Sequence, residues 1–176
     1  MKKLLFFTLV ALPFVLTSCV EDLLDVTFDY PLGTSFVMSD QIEANMPTVI
    51  ESEMIELDLG DELADRNLGA ISSVKIKSLE VILADGADID WSVLESLELK
   101  MMLDNETYSM ASFGDNSVIE DRTLTLEVTA DEFHLEEFIN LETAQVQLHL
   151  ETNTAIMTEV PMEAKAVIAI TASPIQ

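Results

Sequence analysis

Three aspartates lie close together in the sequence and could provide oxygen ligands for a cation. Asp85, Asp88 and Asp90 fall within one short segment, and Gly86 beside the first of them favours a turn. Calcium prefers several carboxylate and carbonyl oxygens, so the segment is a candidate calcium site. The spacing of an EF-hand loop is absent, because no matching acidic residue follows in a helix. The sequence favours a solvated hairpin turn, with calcium held by these aspartates as the alternative.

Cys19 is the only cysteine of the chain, which excludes an internal disulfide. Before it come Lys2, Lys3 and an uncharged stretch, residues 4–18, rich in leucine, phenylalanine and valine. A basic start, an apolar run and small residues in this order are typical of a secretory signal. A membrane-spanning helix needs roughly 20 apolar residues, which is more than this stretch has. The pattern therefore predicts cleavage and export.

The four residues that end in this cysteine resemble the lipobox of bacterial lipoproteins. In Leu16-Thr17-Ser18-Cys19, a leucine lies three positions before the cysteine, with small residues between. The resemblance implies diacylglyceryl transfer to the Cys19 sulfur, cleavage before Cys19, and acylation of the new amino terminus. Two or three acyl chains would anchor the protein stably, since one chain alone binds only marginally. The alternative is an ordinary cleaved signal that leaves Cys19 as a free thiol.

The residues after Cys19 bear on where the anchored protein is sorted. Val20 stands where proteobacterial lipoproteins retained in the inner membrane carry aspartate. Glu21 and Asp22 resemble the acidic export signals on surface lipoproteins of the Bacteroidetes group. The resemblance implies an outer-membrane protein that is either periplasmic or surface-exposed. Any segment of so acidic a chain could contain such a pair, which leaves the side of the membrane open.

The charge balance of the chain is strongly acidic. It has 33 aspartates and glutamates against 8 lysines and arginines, a formal net charge of −25 at pH 7. Cleavage before Cys19 would remove Lys2 and Lys3 and bring this charge to −27. Such a field repels nucleic acids and anionic head groups, so we expect neither as a partner. With 49% hydrophobic residues, the chain nevertheless predicts a folded domain.

Alternating apolar and polar residues predict strands along most of the mature chain. The clearest segments are 24–30, 55–59, 74–83, 97–101, 124–128, 146–150 and 160–170. The alternation changes phase near Ser78, which predicts a β-bulge. Pro31-Leu32-Gly33 predicts a turn. The last two strands, joined by residues 152–159, predict a hairpin.

Helical spacing interrupts this pattern in the last third of the chain. Phe133, Phe138 and Ile139 fit a short helix, and Thr129-Ala130-Asp131-Glu132 has the pattern of a capping box at its start. A helical turn is also expected near Glu62–Arg66. Strand spacing with turns and one modest helix predicts an all-β fold, a single immunoglobulin-like β-sandwich of about seven to eight strands.

The chain is thus expected to have three parts. These are a lipoprotein signal peptide at residues 1–18, a lipid-anchored tether at 19–23 and the β-sandwich domain at 24–176. The layout is similar to that of small uncharacterised β-sandwich lipoproteins of the Bacteroidetes group. The similarity is one of strand pattern and rests on no diagnostic motif.

No residue pattern in the sequence identifies an enzyme class, and a Ser-His-Asp triad stays an open alternative without supporting spacing. His134 and His149 are the only histidines, and neither has the cysteine or HExxH partners of a zinc site. A Gly-x-Ser-x-Gly elbow and a phosphate-binding glycine loop are also absent. Among so many acids, no pair stands out as glycosidase carboxylates. Trp91 and Tyr108 could stack on a sugar, although a core or rim position is more usual.

We therefore expect a non-catalytic protein of the cell envelope that uses no cofactor and binds or supports another envelope protein. β-Sandwich domains bind partners through edge strands and end loops, an analogy at the level of the fold. The alternative is a glycan-binding accessory protein or a hydrolase of the cell surface. A concave pocket with convergent polar groups would favour the enzyme, and an edge-strand surface would favour the binding module.

Overall fold

The computed structural model describes residues 25–103, 106–129 and 143–175. The strands in these ranges are β1 (Val26–Met38), β2 (Thr48–Glu51), β3 (Ile55–Glu56), β4 (Leu68–Leu83), β5 (Leu94–Leu103), β6 (Glu106–Ser112), β7 (Val118–Glu120), β8 (Thr123–Thr125), β9 (Glu127–Val128), β10 (Thr143–Thr152) and β11 (Val160–Pro174). The helix α1 spans Leu59–Asp65, and a 3₁₀ turn spans Trp91–Val93. The predicted all-β sandwich is confirmed. Short strands of two to four residues raise the number of strands above the seven or eight expected.

The strands form two antiparallel sheets. The first sheet has the order β1-β11-β4-β8-β7, and the second has the order β2-β10-β5-β6-β9, with β3 also paired to β10. β1 is thus an edge strand of the first sheet, while β2 and β3 share the corresponding edge of the second. The two edges lie on the same side of the sandwich, since β1 and β2 are in contact.

The facing sides of the two sheets enclose an apolar core. Strand alternation sends every second side chain inward, and the innermost ones have no exposed surface: Val81, Leu124, Leu148, Ile168 and Ile170. Burial of one such side chain contributes about 1.5–3 kcal/mol. This burial explains how the domain folds without a disulfide.

The predicted β-bulge near Ser78 is confirmed. In the pairing of β4 with β11, Ser78 lies opposite Val167 and Ile76 lies opposite Ile168, so Lys77 is the extra residue. The extra residue reverses the phase of the alternation. Val74 and Leu79 can therefore both face the core, on either side of the bulge.

The predicted turn at Pro31-Leu32-Gly33 is wrong, because β1 continues without interruption from Val26 to Met38. Pro31 lies opposite Val167 and pairs with β11 in the same register as the residues around it. An edge strand tolerates proline, since the missing N–H is one that would have faced away from the sheet. A proline in a sequence therefore does not by itself distinguish a turn from an edge.

The predicted closing hairpin is also wrong. β10 belongs to the second sheet and β11 to the first, so residues 153–159 cross between the sheets. A bridge between Ile42 and Ile156 fastens this crossing to the connection between β1 and β2. Alternation shows that a segment is a strand but does not show which sheet it joins.

Helical structure in the described residues lies mainly in α1, which overlaps the turn predicted near Glu62–Arg66. The predicted strand at 55–59 is shorter than expected, because β3 ends at Glu56 and α1 begins at Leu59. The helix predicted around Phe133 lies outside the described residues. None of the helices in the described ranges is long and apolar enough to span a membrane.

Candidate functional site

The polypeptide enters the domain at Asp25, the first described residue. The Asp25 carboxylate accepts hydrogen bonds from the Ser72 hydroxyl at 3.0 Å and the Ser173 hydroxyl at 2.7 Å. These bonds join the residue before β1 to β4 and β11. Cys19, the predicted signal peptide and the predicted tether lie outside the described residues and stay predictions.

An opening lies on the side of the sandwich where β1 faces β2 and β3. β1 buries its inward side chains Phe28 and Phe36, whereas Tyr30, Leu32 and Thr34 between them are only half-buried. The opposite edge breaks between β2 and β3, and just beyond β3 the Asp58 N–H donates to the Tyr30 hydroxyl at 3.1 Å. The inward face of β1 is therefore partly accessible at Leu32 and Thr34 and closed by this bond at Tyr30.

Ser52 lies at the break between β2 and β3, and its backbone N–H and its hydroxyl are both hydrogen-bonded there. Its N–H donates to the Val146 carbonyl at 2.8 Å, as in a normal ladder. Its hydroxyl then accepts from the Val146 N–H at 3.0 Å and donates to the Glu53 carbonyl at 2.6 Å. A side chain thus replaces a backbone acceptor, and the chain leaves the sheet for three residues before β3 begins.

We call the space behind the opening the apolar cleft. It is a shallow space with room inside for about one water molecule, and it is lined by residues from Leu32 and Ile55 at its mouth to the side chains of the core. Ala164 and Ala166 of β11 line one wall, and Leu99 is among the β5 side chains of the facing wall. The cleft exists because alanines occupy two successive inward positions of β11, where larger residues would fill the space between the sheets.

The two rims of the apolar cleft differ in charge. Exposed carboxylates line the rim of the second sheet, namely Glu53, Glu56 and Asp58, and none of them forms an ion pair with a described cation. On the other rim, Asp29 is paired with Lys77 at 2.8 Å. The mouth of the cleft is therefore negative along one side and nearly neutral along β1.

The predicted site residues Asp85, Asp88 and Asp90 lie in the connection between β4 and β5. Gly86 has a φ of 84°, which confirms the turn. The Asp90 carboxylate caps the 3₁₀ turn by accepting from the Ser92 N–H at 2.8 Å and from the Ser92 hydroxyl. In the described ranges, no group of three histidine, cysteine or acidic side chains is arranged to hold a metal. Calcium at these aspartates stays a prediction.

Asp90 is expected to make stability depend on pH. Hydrogen bonds from the Ser92 hydroxyl and N–H lower the pKa of Asp90 below its usual value of 3.8. A lowered pKa in the folded state stabilises the protein above about pH 4, and this contribution is lost as the pH falls through the folded pKa. In the Asp90→Asn variant, the amide oxygen can still accept the hydrogen bonds from Ser92 but carries no charge. We expect the difference in Tm between the wild type and this variant to shrink below about pH 4. Thermal melts from about pH 7 to pH 2 measure it.

The Asp88→Asn variant serves as the control for this titration. Asp88 is exposed and lies in the same connection, so its substitution removes one negative charge without removing the cap. A difference in Tm that shrinks equally for Asp88→Asn would assign the effect to general charge.

The predicted histidines are not part of the apolar cleft. His149 lies on the outer face of β10, where its Nε2 is 3.2 Å from the Gln147 Oε1, and His134 lies outside the described residues. Burial, together with nearby Lys100, lowers the pKa of His149. Burial alone would raise the pKa of Glu98, but hydrogen bonds from Ser109 and Lys100 hold it below its usual value. These side chains form a polar outer face with His149 mainly neutral at pH 7.

Of the two aromatic candidates, Trp91 is in the core. Its ring is 4% exposed, and its Nε1 donates to the Arg122 carbonyl at 2.8 Å. A buried ring offers no face for stacking on a sugar. Tyr108 is half-buried in β6, and its hydroxyl donates to Glu106 at 2.9 Å.

Sequence reasoning did not find the apolar cleft. The available signal was the repeated alanine at 164 and 166 in a strand whose other inward positions are large. That signal was ambiguous, because alanine also occurs wherever two packed sheets approach closely. The break at Ser52 has no recognisable pattern in the sequence.

Comparisons with known proteins place this chain in no family. No protein-family model and no curated protein matches it. Among solved structures, a chain of Desmodium yellow mottle tymovirus is similar, with 10% sequence identity over 99% of this chain and 97% of that chain. The TM-score of this match is 0.28, and a likeness at that level carries no argument about function.

Proposed function

We propose that the protein is a lipid-anchored module of the bacterial cell envelope that binds another envelope protein without catalysing a reaction. The observation that carries this proposal is the apolar cleft beside the edge strand β1. An opening between two sheets leaves apolar side chains in contact with solvent, and a bound partner would cover them. Outer-membrane location is part of the proposal and rests on the sequence around Cys19.

The lining of the apolar cleft favours binding over hydrolysis. Thr34 and Lys165 are the polar residues among those that line it, and Lys165 forms an ion pair with Glu163 at 3.1 Å. General acid–base catalysis needs a titratable group within hydrogen-bonding reach of the substrate, and a nucleophile needs a base beside it. The residues of the cleft provide no such pair, whereas an apolar side chain of a partner fits their chemistry.

The length of the tether is compatible with a partner close to the membrane. The six steps along the chain from Cys19 to Asp25 reach at most about 20 Å when extended. The mouth of the cleft, at Leu32, lies roughly 25 Å further along β1. A lipid anchor at Cys19 would therefore hold the cleft within roughly 45 Å of the bilayer, in reach of the exposed domains of other membrane proteins.

Photo-crosslinking in intact cells tests this function. A photoreactive amino acid replaces Ile55 at the mouth of the cleft or, as a control, Val118 in β7 at the opposite edge of the first sheet. We expect a discrete adduct with one envelope protein from position 55 and not from position 118. The adduct should disappear when Ala166→Leu fills the cleft. Equal adducts from both positions, or none from position 55, would contradict the proposal.

A further inference from the structure

We infer that the ligand of the apolar cleft is an extended peptide strand of the partner, which pairs with the free edge of β1 and inserts an apolar side chain between the sheets. The strand is uncharged at its centre and carries lysine or arginine at its ends. This inference rests on the proposed binding function and names the chemistry of the partner at the same site.

The backbone of β1 is available for such pairing. β1 has thirteen residues, pairs with β11 along its whole length without a bulge, and has no described strand beyond it. Antiparallel strands direct alternate residues to opposite sides, and Pro31 occupies a position that needs no donor toward β11. Gly33, Ser35 and Val37 share its phase, so their N–H and C=O groups point away from β11, to the side where no strand is described.

β1 carries one feature that protects an edge strand, Pro31, which offers no N–H to an added strand, so we expect pairing along residues 33–37 beyond it. Natural edges carry charges, bulges or covering segments that prevent pairing with another chain. The only acidic residue in β1 is Asp29, and Lys77 neutralises it. In a chain with 33 acidic residues, a thirteen-residue edge with one paired carboxylate is a low-charge surface. It offers little repulsion to an incoming strand.

The apolar cleft lies where the side chains of an added strand would point. A strand paired to β1 lies about 4.8 Å from it, and every second side chain faces inward beside Leu32 and Thr34. These two residues are half-buried, and Ala164 and Ala166 behind them form an apolar floor against which an aliphatic side chain of the added strand would pack. Edge pairing supplies backbone hydrogen bonds, while the cleft selects the inserted side chain.

Charge determines which strand fits. Glu53, Glu56 and Asp58 on the opposite rim attract lysine or arginine and repel an acidic segment. A second copy of this chain is disfavoured, because antiparallel pairing of two β1 strands would place their two lipid tethers at opposite ends of the dimer. We therefore assign the occupant to a different protein with a basic, apolar strand.

Peptide titration against the lipidated mature protein in detergent micelles tests the inference. The probe is a synthetic peptide of alternating threonine and valine with two lysines at each end. One control peptide has N-methyl groups on alternate amides, and the other has glutamates in place of the lysines. We expect each control to bind about tenfold more weakly, since the first loses backbone hydrogen bonds and the second meets the acidic rim.

Amide hydrogen exchange locates the bound peptide. Saturating peptide should slow exchange of the Gly33, Ser35 and Val37 amides, while the Thr34 amide, which faces β11, should exchange as before. Protection at another strand, or equal binding of the N-methylated peptide, would overturn strand addition. Protection of Gly33, Ser35 and Val37 in the free protein together with a dimer in sedimentation would replace the partner strand with a second copy.

Two substitutions in β11 form a matched pair for the side-chain pocket. Ala166→Leu fills the apolar cleft and should weaken peptide binding about tenfold or more, whereas Ala169→Leu on the outer face of the same strand should not change it. If Ala166→Leu lowers the Tm strongly, Ala166→Val replaces it. Equal affinity of the folded variants for the peptide would overturn insertion of a side chain.

The peptide titration and the crosslink separate this inference from the proposed function. If the peptide does not bind but the crosslink at position 55 persists, strand addition alone is refuted. If neither peptide binding nor the crosslink is observed, the binding function is refuted as well.

Discussion

Replacing Cys19 with alanine is expected to abolish lipid attachment completely. Incorporation of labelled palmitate should fall to background, and the purified protein should no longer partition into the detergent phase. The reason is that Cys19 is the only thiol of the chain, so no other residue can accept the diacylglyceryl group. Each buried methylene contributes about 0.8 kcal/mol to membrane binding, so the loss of two or three acyl chains removes an anchor that no other feature of the sequence replaces.

Ser18→Ala is the matched control for this change. It keeps a small residue before the cysteine and should leave palmitate incorporation and cleavage unaltered. Intact-mass measurement of the wild-type protein should place an acylated amino terminus at Cys19. A wild-type protein that begins elsewhere, or a Cys19→Ala protein that still carries lipid, would contradict the lipobox interpretation and leave an ordinary secretory signal in its place.

Replacing Trp91 with alanine is expected to lower the free energy of unfolding by about 3–5 kcal/mol. Trp91 is the largest buried side chain at the start of β5, and its Nε1 hydrogen bond to the Arg122 carbonyl joins that start to the turn between β7 and β8. Native domains are stable by about 5–15 kcal/mol, so this loss would bring the protein close to unfolding at moderate temperature. Urea denaturation followed by circular dichroism measures it, because the substitution removes the only tryptophan fluorophore.

Trp91→Phe separates the hydrogen bond from the packing. It keeps an aromatic ring, and the Arg122 carbonyl still accepts from the Leu83 N–H at 3.0 Å, so we expect a smaller loss of about 1–2 kcal/mol. Val118→Ala, at an exposed edge position, should change the stability by less than about 0.5 kcal/mol. A Trp91→Ala protein within about 1 kcal/mol of wild type would show that the ring is not part of the core.

The strand pattern of the fold could be predicted because burial acts residue by residue. β10 and β11 alternate almost without exception, since one face of each strand packs against the opposite sheet. Even the bulge at Lys77 was visible as a change of phase near Ser78. The predicted turn at Pro31 was wrong because its outcome depends on strands that are distant in the sequence. Proline is compatible with a turn and with an edge strand, and only the neighbouring strands distinguish them.

The candidate site was less predictable than the fold. The sequence predicted a site at three aspartates because carboxylates are common metal ligands, yet Asp90 caps the 3₁₀ turn. The sequence did not predict the apolar cleft, because the alanines that line it, Ala164 and Ala166, carry no functional group. Its existence depends on what lies opposite these alanines and on the break that Ser52 introduces in another sheet.

The sequence by itself determined the charge and the strand character of this protein and predicts its location, since each of these depends on residues that are adjacent or regularly spaced. The segment that resembles a lipobox ends in a single cysteine, and alternation is a local consequence of burying one face. The tertiary structure decided which strands share a sheet, that β10 and β11 belong to different sheets, and that β1 lies beside an apolar cleft with no described strand beyond it. Those features depend on contacts between residues far apart in the chain, which local periodicity does not record.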